Sequence, residues 1–279
     1  MSVIDTHQHF WWIARRPHEW PPAVGNRLDR DYTPDDLKPQ LDRAGVDGTI
    51  LIQSLNDADE TLEYLDLANT VPWVRGVIGW LDLARPKDVP DTLKRLKAAG
   101  KIVGFRHLLR VEAAKDWLGQ PAVLESLKMV ADADLVFELV PINQEQFDHL
   151  CGFAEKIPNL RLVIDHLGRP PVPERGWEPW ASFIRRAAEH PNIVIKLSTG
   201  IAMITAWRWE TEALRRYVDH ALDRFGPERC MAASNWPVVE LAGSYEQVWG
   251  GLTELVSGLD AKGRAAALGG TAERVYRLK

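Results

Sequence analysis

Along the chain, short runs rich in β-branched residues alternate with stretches whose apolar residues recur every three or four positions. The runs at 3–9, 48–53, 75–81, 102–106, 135–140, 161–164, 193–197 and 229–233 predict eight strands. The stretches at 61–69, 89–99, 122–131, 144–156, 180–188 and 211–225 predict helices between them. Boundary residues agree with this reading. Thr33-Pro34-Asp35-Asp36 sets a capping hydroxyl before a proline and two acids, the chemistry of a helix start. Gly45, Gly100 and Gly226 fall where helices should stop and the chain should turn.

Successive strands begin 26 to 45 residues apart, room for a strand, a crossover helix and two loops. Eight such units favour an α/β fold of the closed (β/α)8 TIM-barrel type over an open doubly wound sheet. The open sheet usually carries a glycine-rich first turn. The first strand here instead runs out through Asp5-Thr6-His7-Gln8-His9-Phe10-Trp11-Trp12, without a glycine. No linker or composition break divides the chain, so residues 1–279 are expected to form one barrel domain. The Pro/Gly-rich stretches 16–26 and 168–176 read as long loops over one mouth of that barrel.

Composition narrows what such a barrel could do. The 279 residues carry 34 basic and 39 acidic side chains, a net charge of −5 that argues against a general nucleic-acid or anionic-membrane surface. A chain this long buries a large core unaided. Its two cysteines, Cys151 and Cys230, exclude a disulfide scaffold and a cysteine-only zinc site. No apolar run approaches the roughly 20 residues of a membrane span, and Met1-Ser2-Val3-Ile4-Asp5 does not read as a signal peptide. A soluble, cytoplasmic protein is expected, with no nucleic-acid or membrane partner and with a homo-oligomer left open.

The candidate chemistry gathers at strand ends. Residues two apart in a strand point the same way, so His7 and His9 project two imidazoles together, half of a zinc or manganese site. At the end of a first barrel strand they would lie at the mouth where such folds place their chemistry. His166, just beyond 161–164, faces the same mouth as a third histidine, and Asp165 before it is expected to orient its ring. His18, His149, His190 and His220 lack such placement and read as surface or helix residues. Glu138 interrupts an otherwise apolar strand, which is costly unless a cation or hydrogen bonds satisfy it. A metal and a buried arginine are equal candidates. Arg106 and His107 close the fourth strand, where a guanidinium fork could hold a carbonyl or carboxylate oxygen, or else pair with Glu138. Of the 12 tryptophans, Trp11, Trp80, Trp207, Trp209 and Trp236 stand at or after strand ends and could form aromatic walls. Trp73 and Trp249 read as packing.

Taken together, Asp-Thr-His-Gln-His at 5–9, Gly-Phe-Arg-His-Leu-Leu at 104–109, Asp-His-Leu-Gly-Arg-Pro at 165–170 and Ser-Asn-Trp-Pro at 234–237 resemble the amidohydrolase superfamily, in its sugar-lactonase branch. Their order and placement on the strands are specific, and the likeness runs from Ile4 to Ala272. It implies a distorted barrel that hydrolyses lactone or amide bonds, often with one divalent metal, zinc first, at the mouth. Carried over, His7, His9 and His166 are expected metal ligands, and Glu138 joins them on its own placement within the barrel. Arg106, His107, Trp80 and Trp236 are expected to contact a small lactone of the fucono or rhamnono type. Asn235, His166 and Arg106 are the expected catalytic positions. The family's general base is an aspartate at the place of Asn235, and a neutral amide cannot accept a proton from water. The resemblance therefore implies an inactivated or variant lactonase, in which Asn235→Asp would raise hydrolysis. A decarboxylase of a small unsaturated acid and a non-catalytic sugar-acid binder are the alternatives.

Overall fold

Eight parallel strands pair in sequence order into one sheet: β1 (Ile4–Gln8), β2 (Gly48–Ile52), β3 (Val74–Gly79), β4 (Ile102–Arg106), β5 (Val136–Leu139), β6 (Arg161–Ile164), β7 (Ile193–Leu197) and β8 (Cys230–Ala232). The computed structural model describes residues 2–18, 24–25, 27–109 and 116–279, so positions 19–23 and 26 of the expected loop at 16–26 lie outside the described residues. The helices α1 (Pro34–Ala44), α2 (Ala58–Thr70), α3 (Val89–Ala99), α4 (Pro121–Asp132), α5 (Gln144–Lys156) and α6 (Trp180–Ala188) carry the chain from strand to strand. A short α7 (Ile201–Ile204), then α8 (Thr211–Phe225), α9 (Tyr245–Leu255), α10 (Ala261–Ala265) and α11 (Thr271–Tyr276) follow. This is the (β/α)8 barrel that the periodicity predicted. Helix α1 starts as its sequence suggests: Thr33 N–H and its hydroxyl both donate to the Asp36 carboxylate, at 2.8 and 2.7 Å. It stops at Gly45, whose left-handed φ of 67° suits a residue without a Cβ.

The ring closes at its mouth between β1 and the segment after β8. Asn235 N–H donates to His7 C=O and His9 N–H to Trp236 C=O, each at 2.8 Å. Buried Asp5 reinforces the seam by accepting from Ser234 N–H at 2.9 Å and the Ser234 hydroxyl at 2.6 Å. Burial pushes the Asp5 carboxyl up to about 6 even against those bonds.

At its other end the barrel is plugged. Ile4, Ile50, Ile52, Ile78, Val136, Val163, Val194 and Met231 fill the interior and pack on Ala272, Val275 and Tyr276 of α11. The turn before α11 lies so tight on β1 that a Cβ at Gly269 would fall 1.8 Å from the Ser2 carbonyl oxygen. Further along the same inward rows, two residues on, valine gives way to charge: Val136 to Glu138, Val163 to Asp165, Val194 to Lys196. All three charged side chains are fully buried. The alternation that makes the core thus also delivers ionisable groups beneath the mouth.

Candidate active site

A cavity of about 490 Å³ opens at the carboxyl ends of the strands. Its polar floor includes His9, Ser54, Arg106, His107, His166 and Asn235, and its walls include Trp11, Leu108, Val140, Ile142, Ile201 and Val238. Ile142 on the rim is 48% exposed, the one strongly exposed large apolar side chain among the described residues. The floor is set by backbone irregularity. The β1–β2 register shifts between Asp5 and Gln8, and His166, Leu167, Arg169 and Asn235 all take positive φ. Such conformations cost about 1–3 kcal/mol each and persist where the surroundings hold them.

Hydrogen bonding assigns the imidazoles. His9 Nδ1 lies 2.8 Å from the Ile52 carbonyl oxygen, so Nδ1 carries the proton and Nε2 is a lone pair. Arg106 Nη1, which can only donate, lies 3.1 Å from His7 Nε2, so that nitrogen is a lone pair too. His7 Nδ1–H then faces Asp165 Oδ1 at 3.4 Å. His166 Nδ1 meets the Ser198 hydroxyl oxygen at 2.8 Å. Asp165 was expected to orient His166. It lies instead against His7, because Ser198 on the chain leaving β7 already holds the His166 ring. Burial, the largest effect on each ring, drives His7 and His9 well below the ordinary histidine range and takes His166 down to about 3. All three are therefore neutral at physiological pH.

Two cations stand beneath these rings. Arg106 Nη2 donates to Gln53 C=O at 2.5 Å and to Gln53 Oε1 at 3.0 Å, while its buried Nε–H has no acceptor among the described residues. Lys196 Nζ, wholly buried, lies 2.5 Å from Glu138 Oε2, 3.1 Å from Asp165 Oδ1 and 3.4 Å from His7 Nδ1. Burial would raise Asp165, but the Lys196 charge and then His7 outweigh it and hold that carboxyl well below its usual range. Burial pushes Glu138 up to about 7, with Lys196 opposing.

The donor chemistry fits a divalent ion. The His7 and His9 Nε2 lone pairs converge at 3.2 Å, the spacing of neighbouring ligands on a sphere of about 2 Å. His7, Asp165 and His166 also bring one donor each within 4.8 Å of one another, and neither Asp165 oxygen accepts a well-formed hydrogen bond. Glu138 stands apart from this group. Lys196 takes one of its oxygens, and the Tyr276 hydroxyl donates to the other at 2.6 Å.

The remaining expected residues divide. Asn235 reaches the floor, with its Nδ2 donating to Thr199 C=O at 2.7 Å. His107 lines the cavity, stacked on Trp117 at 3.7 Å between ring centroids and accepting from the Trp80 indole N–H at 3.2 Å. Trp80 therefore stands behind His107 rather than in the cavity. Trp236 is fully buried, its N–H on Glu240 and its ring edge-on to Phe10 and Tyr32. Trp11 forms a wall. His18, read from sequence as a surface or helix residue, sits beside Trp11 at 5.2 Å, with Nε2 2.7 Å from the Ser54 hydroxyl on the cavity floor. The sequence reading overlooked Lys196, Gln53, Ser198 and Tyr276. Lys196 had a signal, a charge inside the apolar run Ile193-Val194-Ile195-Lys196-Leu197, the same oddity that singled out Glu138.

Comparison with known proteins agrees with this geometry. The amidohydrolase family profile matches residues 4–278. The L-fucono-1,5-lactonase of Burkholderia ambifaria is 34% identical over 281 residues, covering 99% of this chain and 95% of that protein. Two solved structures of an amidohydrolase from Burkholderia multivorans align over 100% of both chains. One has bound HEPES, at 31% identity and a TM-score of 0.89, and the other has bound Zn, at 30% and 0.88.

Proposed function

The chain belongs to the amidohydrolase family, and from that premise we propose that it hydrolyses a small sugar-acid lactone. The observation that carries this reading is the cavity floor. Neutral imidazoles, a guanidinium with a free buried N–H and the Asn235 amide lie together beneath apolar and aromatic walls. A lactone ring stacks on Trp11 and turns its carbonyl oxygen to the Arg106 guanidinium. That donor strengthens its bond as the oxygen becomes an oxyanion, an effect typically worth about 10²–10³ in rate.

His166 is the proton acceptor. With Nδ1 taken up by the Ser198 hydroxyl, its Nε2 is left for the cavity, and burial keeps the ring unprotonated at neutral pH, so its basicity has to rise as charge develops on the bound substrate. Water attacks the carbonyl carbon and gives its proton to Nε2. The ring C–O bond then breaks as Nε2 returns that proton to the departing oxygen, leaving an open hydroxy acid. Asn235, fixed by Thr199, presents its Oδ1 as an acceptor for water or a substrate hydroxyl.

A divalent ion, zinc being the first candidate, would be held by His9 Nε2 and by His7 Nε2 in exchange for its bond from Arg106, and would supply Lewis acidity toward the carbonyl. His166 keeps its lone pair for the proton, since one nitrogen cannot serve both duties. The test is a panel of aldonolactones followed by acid release, with L-fucono-1,5-lactone first. Turnover of at least one is expected, and none across the panel would defeat the reading.

A further inference from the structure

Beneath the floor a line of buried polar groups runs down the barrel axis to α11. Tyr276 Oη donates to Glu138 Oε1 at 2.6 Å, and Glu138 Oε2 meets Lys196 Nζ at 2.5 Å. Lys196 Nζ meets Asp165 Oδ1 at 3.1 Å, and Asp165 Oδ1 faces His7 Nδ1 at 3.4 Å. Every member is buried, Tyr276 at 3% exposure and the others at zero. We propose that Tyr276, at the opposite end of the barrel from the cavity, is a positioning residue that sets the His7 imidazole through Glu138, Lys196 and Asp165.

The reasoning is one of supply and demand among groups cut off from water. Two carboxylates compete for one ammonium, and an unpartnered oxygen in such a place costs about 1–3 kcal/mol or more. The Tyr276 hydroxyl fills one Glu138 oxygen and so lets Lys196 divide itself between Glu138 and Asp165. Without that hydroxyl, the cheapest remedy for Glu138 is to draw the ammonium across both of its oxygens. Asp165 then loses its nearest cation, 3.1 Å away, and turns toward Arg106, whose Nη1 is 3.6 Å from Oδ2. His7 loses the anion that fixes its Nδ1–H tautomer. The apolar packing of α11 is left as it was, because Val275 and Ala272 supply it independently.

The catalytic half of this inference rests on the lactonase reading, and the structural half does not. Tyr276→Phe keeps the ring and removes only the hydroxyl. It is expected to lower kcat about tenfold, the usual loss when a ligand's supporting partner is removed, with KM within about twofold. The imidazole ¹⁵N signals of His7, recorded without substrate and assigned by their loss in His7→Gln, are expected to move. Val275→Ala, in the same helix but outside the polar line, should lower the unfolding midpoint and leave kcat and those signals alone. Should Tyr276→Phe fail to fold, Glu138→Gln replaces it, with the same expected movement of the His7 signals. Wild-type kcat together with unmoved His7 signals in the variant would overturn the proposal. Where the unmodified protein opens no lactone, the lactonase reading falls and the imidazole spectra alone decide this one.

Discussion

The two ends of the barrel are built on opposite terms. At the plugged end, apolar side chains from all eight strands, Val103 of β4 among them, cluster with α11, and Gly269 marks contact tight enough to exclude a methyl group. At the open end, residues of four positions hold positive φ, three imidazoles are stripped of their usual basicity, and two oxygens of Asp165 go without a well-formed hydrogen bond. The comparison teaches where stability and chemistry reside. Apolar burial, in this plug and in the much larger cluster between the sheet and the helices, supplies the free energy that keeps the strained end in place, at about 1.5–3 kcal/mol for each large aliphatic side chain.

The sharpest way to break that comparison is at the mouth. His166→Gln should cost about 10²–10⁴ in kcat, equivalent to roughly 3–5.5 kcal/mol of barrier, while leaving stability within about 1 kcal/mol. A large fall in its urea midpoint would show that the floor bears weight after all. Lys196→Met tests the middle of the axis, where the ends meet. Removing the ammonium leaves Glu138 with only the Tyr276 hydroxyl and Asp165 with only the more distant Arg106, and a loss of about 3–5 kcal/mol is expected by urea titration. Stability equal to the parent would mean that one of the two carboxyls is already protonated.

Asn235→Asp is the next in size, and here one hydrogen bond argues for the opposite of what the family resemblance implies. The amide Nδ2–H donates to Thr199 C=O at 2.7 Å, so an aspartate would set a carboxylate oxygen against a carbonyl oxygen. Hydrolysis should fall about tenfold by steady-state rates rather than rise, as for other losses of a transition-state-positioning bond. A hundredfold gain would restore position 235 as the place of the missing base.

The smallest effect concerns pH. Burial keeps His9 neutral in the folded protein, whereas the unfolded chain takes up a proton below about 6.5. The unfolded state is thereby favoured on acidification, and stability is lost as the pH falls from 6.5. His9→Gln removes this proton, so its stability should decline less steeply between pH 6.5 and 5, by at most about 1.4 kcal/mol per pH unit. Parallel curves for the two proteins, measured free of metal, would show that His9 titrates in the folded state as it does in the unfolded one.

Much of this architecture was legible along the chain because periodicity is a local property. Val89–Ala99, Gln144–Lys156, Trp180–Ala188 and Thr211–Phe225 begin and end where their apolar spacing and flanking residues said. His7, His9, Arg106, His166 and Asn235 were legible as strand-end residues, and the closed topology brings their ends together. Partnership was not legible. Nothing local says that Glu138 will meet Lys196, 58 residues on, and Tyr276, 138 residues on, rather than an ion. Nor does a tryptophan's place after a strand say which way it turns. Trp11 faces the cavity, whereas Trp236, held by Glu240, faces the packing between Phe10 and Tyr32.

The seam between β1 and the segment after β8 also governs how the molecule can come into being. Gln8 bridges Trp236. On a ribosome, β1, with His7, leaves long before its neighbour in the seam, more than two hundred residues further on. Until that neighbour arrives, β1 offers an unpaired edge, and the half-built barrel is exposed to pairing with the wrong strand or another chain. Pairings so distant in sequence form slowly, so the finished floor is a late event in folding. The protein thus acquires its chemistry all at once, near the end of its own assembly.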